Sequence, residues 1–402
     1  MRILICAPDT PFFPVNNGLR RQLVGLLSEL GQRHDVRLLG YRHPDQSSVP
    51  AVEAEMRVVP YEKPDFAANA HDFTSAMLRR RPLRASRFVK GLRRPLRESL
   101  AGFEPDVVHV SSAKLAELEQ ELAGRPRVLM ALDAWHLNAD ARADAATGLR
   151  GRFLRADAKR IRRFEETQYR GFDRIVFCNE RDRDEIRAQD PTLRFEVIPI
   201  GFDADAYASD PNAVVDRSRI IFHGAMGYAP NVRAAEYLAR DIYPRVLAAR
   251  PEARLVLVGR DPAPRVLELG TLPGVDVIGP VDDMRAWLTG SRVWVGPLLD
   301  GTGMKNKLLE AMAAELPCVV TPLAHQGHDV VSGEQLLVGS TEDELAAHVI
   351  RVLSDDDLAA RLGRAGGDYV RPRYGWPAIA RAYEELYEAV LSEHARNGSG
   401  GS

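Results

Sequence analysis

A chain of 402 residues exceeds what one compact core usually organises, and its length predicts two domains of roughly 150–200 residues each. With 45% hydrophobic and 27% charged residues and a formal net charge of −2, the composition is that of an ordinary soluble globular protein. It gives no support to general nucleic-acid binding, which needs a basic domain, and no apolar stretch reaches the roughly 18 residues of a membrane span.

The chain opens on Met1-Arg2-Ile3-Leu4-Ile5-Cys6, an apolar run too short for a secretory signal and one that enters a strand directly. Strands are expected in the first half at 2–7, 36–41, 56–60, 106–110, 128–132, 174–178 and 195–199. In the second half they are expected at 219–223, 254–258, 275–278, 293–296, 317–321 and 336–338. Helical patterns such as 19–33 and 234–250 separate them, so the fold class is α/β with parallel sheets. A break near 201–216 divides two similar arrays into doubly wound, Rossmann-like domains at 1–203 and 204–375. The last helix, 376–395, carries Ile379, Tyr383, Leu386, Tyr387 and Val390 at helical spacing. That stripe either packs on the nearest core or crosses back to the first domain, and 396–402 is a flexible tail. Cys6, Cys178 and Cys318 each sit in a short apolar run with no metal-like spacing, as expected of buried thiols in a reduced, cytoplasmic protein.

Rossmann-like sheets bind ligands beyond the carboxyl ends of their strands, so the turns there carry the chemistry. After the strand at 293–296 comes Pro297-Leu298-Leu299-Asp300-Gly301-Thr302-Gly303-Met304-Lys305-Asn306-Lys307-Leu308-Leu309-Glu310. Glycines including Gly303 allow a tight turn, a helix begins near Lys305, and its N-terminus offers N–H groups and positive charge to a phosphate. Lys305 and Lys307 suit a diphosphate, and Glu310, one turn in, suits ribose hydroxyls. An ordinary loop with a solvated, charged helix is the competing reading. The strand at 219–222 runs into His223-Gly224-Ala225-Met226-Gly227-Tyr228-Ala229-Pro230-Asn231, where Gly224 and Gly227 permit close approach to phosphate and Asn231 suits a helix cap. This is not the dinucleotide fingerprint, so it lends nothing to a dehydrogenase. In the first half, Asn16-Asn17-Gly18-Leu19-Arg20-Arg21 opens the first helix; Arg20 and Arg21 either meet an anionic group or are exposed beside a simple cap.

These motifs resemble the donor-binding domain of GT-B glycosyltransferases of family 4, closest to the branch associated with exopolysaccharide and exosortase systems. The matching pieces are the loop from Phe222 to Asn231, Leu257-Val258-Gly259-Arg260, Gly279-Pro280-Val281-Asp282-Asp283 and Asn306-Lys307-Leu308-Leu309-Glu310-Ala311-Met312-Ala313. Weaker similarity covers nearly the whole chain. The resemblance implies a GT-B fold, two Rossmann-like domains facing across a cleft, with the acceptor on the first and a nucleoside-diphosphate sugar on the second. It implies retaining transfer to a glycan, lipid-linked or natural-product acceptor, the nucleotide-sugar being a co-substrate and no cofactor being needed. By the same match Glu310 takes the ribose, Lys307 the diphosphate, Gly227 the phosphate side, and the loop from Gly279 to Asp283 lies near the base. Thr302 stands where many members carry the first of two glutamates, Ile200-Gly201-Phe202-Asp203 replaces the usual Asn-Gly-Val-Asp, and Asn17-Gly18 replaces a Gly-Gly pair.

Family members often place a histidine after the strand that reads Asp106-Val107-Val108-His109-Val110-Ser111. Ser111 occupies that position, and His109, two residues earlier on the same face, is either the functional histidine or a buried, hydrogen-bonded one. Asp133 and His136 follow the next strand toward the same cleft; Asp133 matches an aspartate typical of the branch and is the preferred acceptor-side group, with helix capping as its alternative. Asp203-Ala204-Asp205 looks like the metal motif of GT-A enzymes, but it sits in the linker and reads as solvated, so metal independence is expected. The basic segments 79–97 and 150–163 either dock on anionic lipid at the inner membrane face, grip a phosphorylated acceptor, or are solvated or paired with the domain's own acids. Pro82 and Pro95 are expected to break the first. Two further functions share the architecture: a non-hydrolysing nucleotide-sugar 2-epimerase and a degenerate nucleotide-sugar-binding subunit.

Overall fold

The computed structural model describes residues 1–15, 17–61, 82, 85–144, 146–208, 214–300 and 306–399. It forms two compact units. The first comprises Met1–Phe202 and the chain from Trp376 onward, and the second is Asp203–Gly375.

In the first unit β1 (Arg2–Ala7), β2 (Asp35–Arg42), β3 (Glu55–Pro60), β4 (Val107–Val110), β5 (Arg127–Leu132), β6 (Arg174–Phe177) and β7 (Phe195–Val197) pair in parallel. Among the described residues their order is β3-β2-β1-β4-β5-β6-β7. Both faces are covered, which is why these strands read as apolar runs rather than alternating ones. Leu4, Cys6, Val108, Val110 and Leu129 face α2 (Ala85–Phe103), a helix that continues through Pro95. Its termination at Pro95, expected from the sequence, does not occur: proline removes one intrahelical hydrogen bond, and the buried stripe Val89, Leu92, Leu96 and Leu100 keeps the helix on the sheet. Ile3, Ile5, Val107, Val128 and Met130 face α1 (Gly18–Leu30) and the C-terminal helix, whose Ile379, Tyr383, Leu386, Tyr387 and Val390 are all buried there. The final helix therefore belongs to the first sheet.

The second unit repeats the plan. Strands β8 (Asp216–His223), β9 (Arg254–Val258), β10 (Val275–Ile278), β11 (Ser291–Gly296), β12 (Cys318–Val320) and β13 (Leu337–Val338) are parallel, in the order β10-β9-β8-β11-β12-β13. The helix expected from residue 234 begins earlier, at Ala229, because Pro230 in the first turn is pre-shaped for helix and has no N–H to satisfy. In each sheet the connections wind to opposite sides of one strand, β1 in the first and β8 in the second. The switch points, β1/β4 and β8/β11, are where such sheets hold ligands. All three cysteines are buried, and burial pushes the Cys6 thiol up to about 12.

Candidate functional site

The switch point of the second sheet collects the strongest motifs. Helix α10 (Asn306–Ala313) buries Leu308, Leu309, Ala311 and Met312 and keeps Lys307 and Glu310, three residues apart and so on one face, half-buried. His223 ends β8 and is 3% exposed; its Nε2 lies 2.8 Å from Glu310 Oε2. On its other side Trp294 of β11, wholly buried, donates its indole N–H to His223 Nδ1 at 3.0 Å. An indole can only donate, so Nδ1 is the acceptor and the ring proton sits on Nε2, where it is donated to the Glu310 carboxylate.

Gly224 follows at φ +154°, and a Cβ there would stand 3.1 Å from Lys307 Cε and 2.9 Å from Asn231 Nδ2. The bare glycine thus lets the lysine stem lie along the loop. Gly259, after β9, packs on the backbone of Gly224 and donates its N–H to the carbonyls of Ile278 (3.2 Å) and Gly279 (3.3 Å). Gly227 sits against the Asp261 carbonyl, and Met226 N donates to Arg260 O at 2.8 Å, so the turns after β8, β9 and β10 are joined into one floor. Asn231 does not cap its helix. The cap is Tyr228, and Asn231, drawn inside by the earlier start at Ala229, turns its amide back to Ala225 O at 3.0 Å. Thr302, Gly303 and Lys305 lie outside the described residues.

At the switch point of the first sheet, Asn17 caps α1 by accepting from Arg20 N at 2.9 Å, and Gly18 is the first helical residue. Arg21 is exposed. Arg20 is neither exposed nor turned to an incoming anion: it is 3% exposed and donates to Asp9 (2.9 Å), Asp45 (3.0 Å) and the Pro14 carbonyl (3.1 Å). Those bonds with Arg20 hold the Asp45 carboxyl below its usual range. The expectation that Arg20 meets a ligand gives way to an internal clamp, formed because its partners Asp9 and Asp45 come from separate loops.

The expected groups after β4 and β5 separate into two kinds. His109 is wholly buried; its Nδ1 is 2.6 Å from Tyr387 Oη on the C-terminal helix, and burial pulls its pKa down to about 3. Its ring packs on Tyr383, and Nε2 has no partner among the described residues. It is the buried strand histidine of the two readings, since a helix covers it. Ser111 is also wholly buried, with no hydrogen-bond partner for Oγ among the described residues. His136 does not open toward solvent either. It pairs with wholly buried Glu165 (Nδ1 to Oε2, 2.6 Å), which also accepts from Trp135 N and Tyr169 Oη. Burial pulls the His136 pKa down, but the Glu165 bond and charge outweigh it and leave it raised. This pair ties α3 (Trp135–Asp144) to α4 (Gly148–Gln168), a role set by a partner 29 residues away.

Asp133 is different: it keeps an exposed face at the carboxyl end of β5. The preceding Leu132 has φ +68°, a left-handed conformation that costs a non-glycine residue about 1–3 kcal/mol and concentrates at functional sites. Cys178 Sγ lies 3.5 Å from Asp133 Oδ1, and Asp182 accepts from the next backbone N–H, that of Ala134, at 3.2 Å. Enclosure by protein, then the Asp182 carboxylate, pushes the Asp133 carboxyl above its usual range despite the exposed face. It alone of the four is both accessible and perturbed.

Among the described residues, three arginines of the first basic segment are paired with acids of the same unit, and in the second Arg162 is. Arg93 binds Glu117 (2.8 Å) and Glu121, Arg97 binds Glu121, Arg94 binds Glu98 and Arg162 binds Asp140. Residues 79–81 and 84 lie outside the described set. Asp203 accepts from Ala206 N at 3.0 Å in a local turn. Among the described residues no helix is long and apolar enough to cross a membrane.

Two residues of this assembly that the sequence did not single out are His223 and Trp294. Their only signal was position: the last residue of one strand and an aromatic in the neighbouring one.

The family described as "Glycosyltransferase Family 4" matches residues 16–206, and "Glycosyl transferases group 1" matches 217–355. A GDP-mannose-dependent monoacylated alpha-(1-6)-phosphatidylinositol monomannoside mannosyltransferase of Corynebacterium glutamicum is 30% identical over 163 residues, 37% of this chain and 42% of that protein. The first curated relatives are matched over only 36% to 60% of their own length. Among solved structures, sucrose-phosphate synthase from Thermosynechococcus elongatus superposes with a TM-score of 0.64 at 15% identity, covering 98% of this chain and all of that one. Anabaena HepE in complex with UDP does so with a TM-score of 0.64 at 14% identity, covering 97% and 100%. At that identity the structures establish the fold alone, and the fold is GT-B. Matched in both halves by family models and along its length by that fold, the chain belongs to the glycosyltransferases of family 4.

Proposed function

We propose that this protein transfers a sugar, with retention of configuration and without a metal ion, from a nucleoside-diphosphate sugar to a glycan, lipid-linked or small-molecule acceptor. The observation that carries the proposal is the assembly at the β8/β11 switch point, where Lys307 runs along Gly224 and Glu310 is held by His223. In this reading the N-terminus of α10 and Lys307 take the diphosphate and stabilise its charge as it leaves, which is the work a metal ion does in other transferases. Glu310 takes the ribose. The leaving phosphate, or Asp133 at the first sheet, accepts the proton of the attacking hydroxyl; the raised pKa of Asp133 supports the second route.

Relatives point to different bases: HepE has been solved with UDP and UDP-glucose, and the corynebacterial relative is named for GDP-mannose. The donor is therefore to be found by thermal shift across UDP-, GDP-, dTDP- and CDP-sugars, since a ligand that binds only the folded state raises Tm. With the donor in hand, Lys307→Ala and Glu310→Ala should each lose transfer by about 2–4 kcal/mol of transition-state stabilisation. Unchanged turnover in both variants would remove the site. The buried free thiols support action in a reducing compartment such as the cytoplasm.

A further inference from the structure

His223 belongs to no role that the donor-site reading assigns, yet its Nε2 lies 2.8 Å from the Glu310 carboxylate. Its side chain is 4% exposed against 19% for Glu310, and both ring nitrogens are engaged: Nδ1 accepts from Trp294 at 3.0 Å and Nε2 meets Glu310 at 2.8 Å. It is thus too enclosed to serve as a ligand itself. We propose that His223 is the positioning residue of the donor site: Trp294 sets its tautomer, and its Nε2–H holds the Glu310 carboxylate in the orientation that receives ribose hydroxyls. The inference rests on the donor-site reading and deepens it.

Three features carry the step. Trp294, fully buried in β11, cannot turn to another partner without leaving its indole N–H unsatisfied, so it locks His223 as an Nε2–H donor. A hydrogen bond to a carboxylate inside protein is stronger than one between neutral groups, so Glu310 is restrained before ligand arrives. A glutamate fixed beforehand loses less rotamer freedom on binding, and the gain appears only for ligands that present hydroxyls to it.

The last point separates positioning from mere support of the fold. Binding of UDP and GDP, each beside its 2′,3′-dideoxy analogue, is measured by titration calorimetry; the tighter pair is then used throughout. Wild type is expected to prefer the ribonucleotide by about tenfold or more, as for one hydrogen bond to a charged group. His223→Phe should remove most of that preference while leaving the dideoxy affinity within about twofold, and His223→Gln, which keeps an N–H donor, should restore part of it. Should His223→Phe fail to fold, Trp294→Phe keeps an aromatic ring, frees the tautomer, and should lower the preference in the same direction. Equal loss for both analogues would make His223 a structural residue and overturn the inference, as would an undiminished preference. If Glu310→Ala loses the preference and the His223 variants keep it, this inference alone falls. If wild type shows no preference, the donor-site reading falls with it.

Discussion

Replacing Gly259 by alanine would place a methyl carbon 1.7 Å from the Gly224 carbonyl oxygen and 2.8 Å from its carbon, at a residue whose φ is +151°. Two costs combine. The backbone conformation itself disfavours a side chain by about 1–3 kcal/mol. Relieving an overlap with backbone, which cannot rotate away, requires moving the turn after β8, a displacement worth about 1–3 kcal/mol in a packed region. The sum, about 2–6 kcal/mol, is a large share of a domain's stability. The consequence reaches the ligand, because Gly224 is the surface on which Lys307 lies. Urea unfolding followed by tryptophan fluorescence, with nucleoside-diphosphate titration alongside, should show a lower midpoint and weaker donor affinity. Gly102→Ala is the control: its Cβ meets nothing within 4 Å, and in helix α2 it should raise stability by about 0.4–1 kcal/mol. Wild-type stability and donor affinity in Gly259→Ala would refute the close packing of these two turns.

Three other substitutions follow from the first unit. Glu165→Ala strands His136, Tyr169 and two backbone N–H groups in the core and should destabilise this unit by about 3–5 kcal/mol, read by faster hydrogen exchange in α3 and α4. His109 stays neutral in the fold down to about pH 3 but titrates near its ordinary 6.5 when unfolded. Below pH 6.5 the unfolded chain alone takes the proton, so stability falls with pH by up to about 1.4 kcal/mol per unit. Unfolding of wild type and His109→Asn at pH 7.5 and about pH 5 should show a shallower decline in the variant; equal slopes would contradict the burial. Asp133→Asn should slow transfer while leaving nucleoside-diphosphate affinity unchanged, and a parallel loss of donor affinity would count against its acceptor-side role.

Much of the fold was legible because each strand is buried on both faces and so stands out as a short apolar run between amphipathic helices. The stripe from Ile379 to Val390 was equally plain, yet periodicity cannot say which core it meets; the structure puts it on β1 and β4 of the first sheet. Charged and polar side chains were harder to place because their surroundings come from distant sequence. Arg20 looked solvent-facing until Asp9 and Asp45 enclosed it, and His136 looked like a cleft residue until Glu165 claimed it. His109 is 278 residues from the tyrosine that holds it. The same distance hid His223, whose importance depends on Trp294 and Glu310, 71 and 87 residues away. Lys307, Glu310, Gly224 and Gly227 could be picked out because a strand–turn–helix junction is local, and the structure sets Lys307 beside Gly224 and Glu310 on the same helix face.

The central claim is that the carboxyl edge of the second sheet binds the nucleotide of the donor through Glu310 and Lys307. A titration of the cognate nucleoside diphosphate into wild type, Glu310→Ala and Lys307→Ala tests it without requiring an acceptor. Dissociation constants at least about tenfold weaker than wild type are expected in each variant, measured well below its own melting temperature. Affinities equal to wild type in both variants would contradict it.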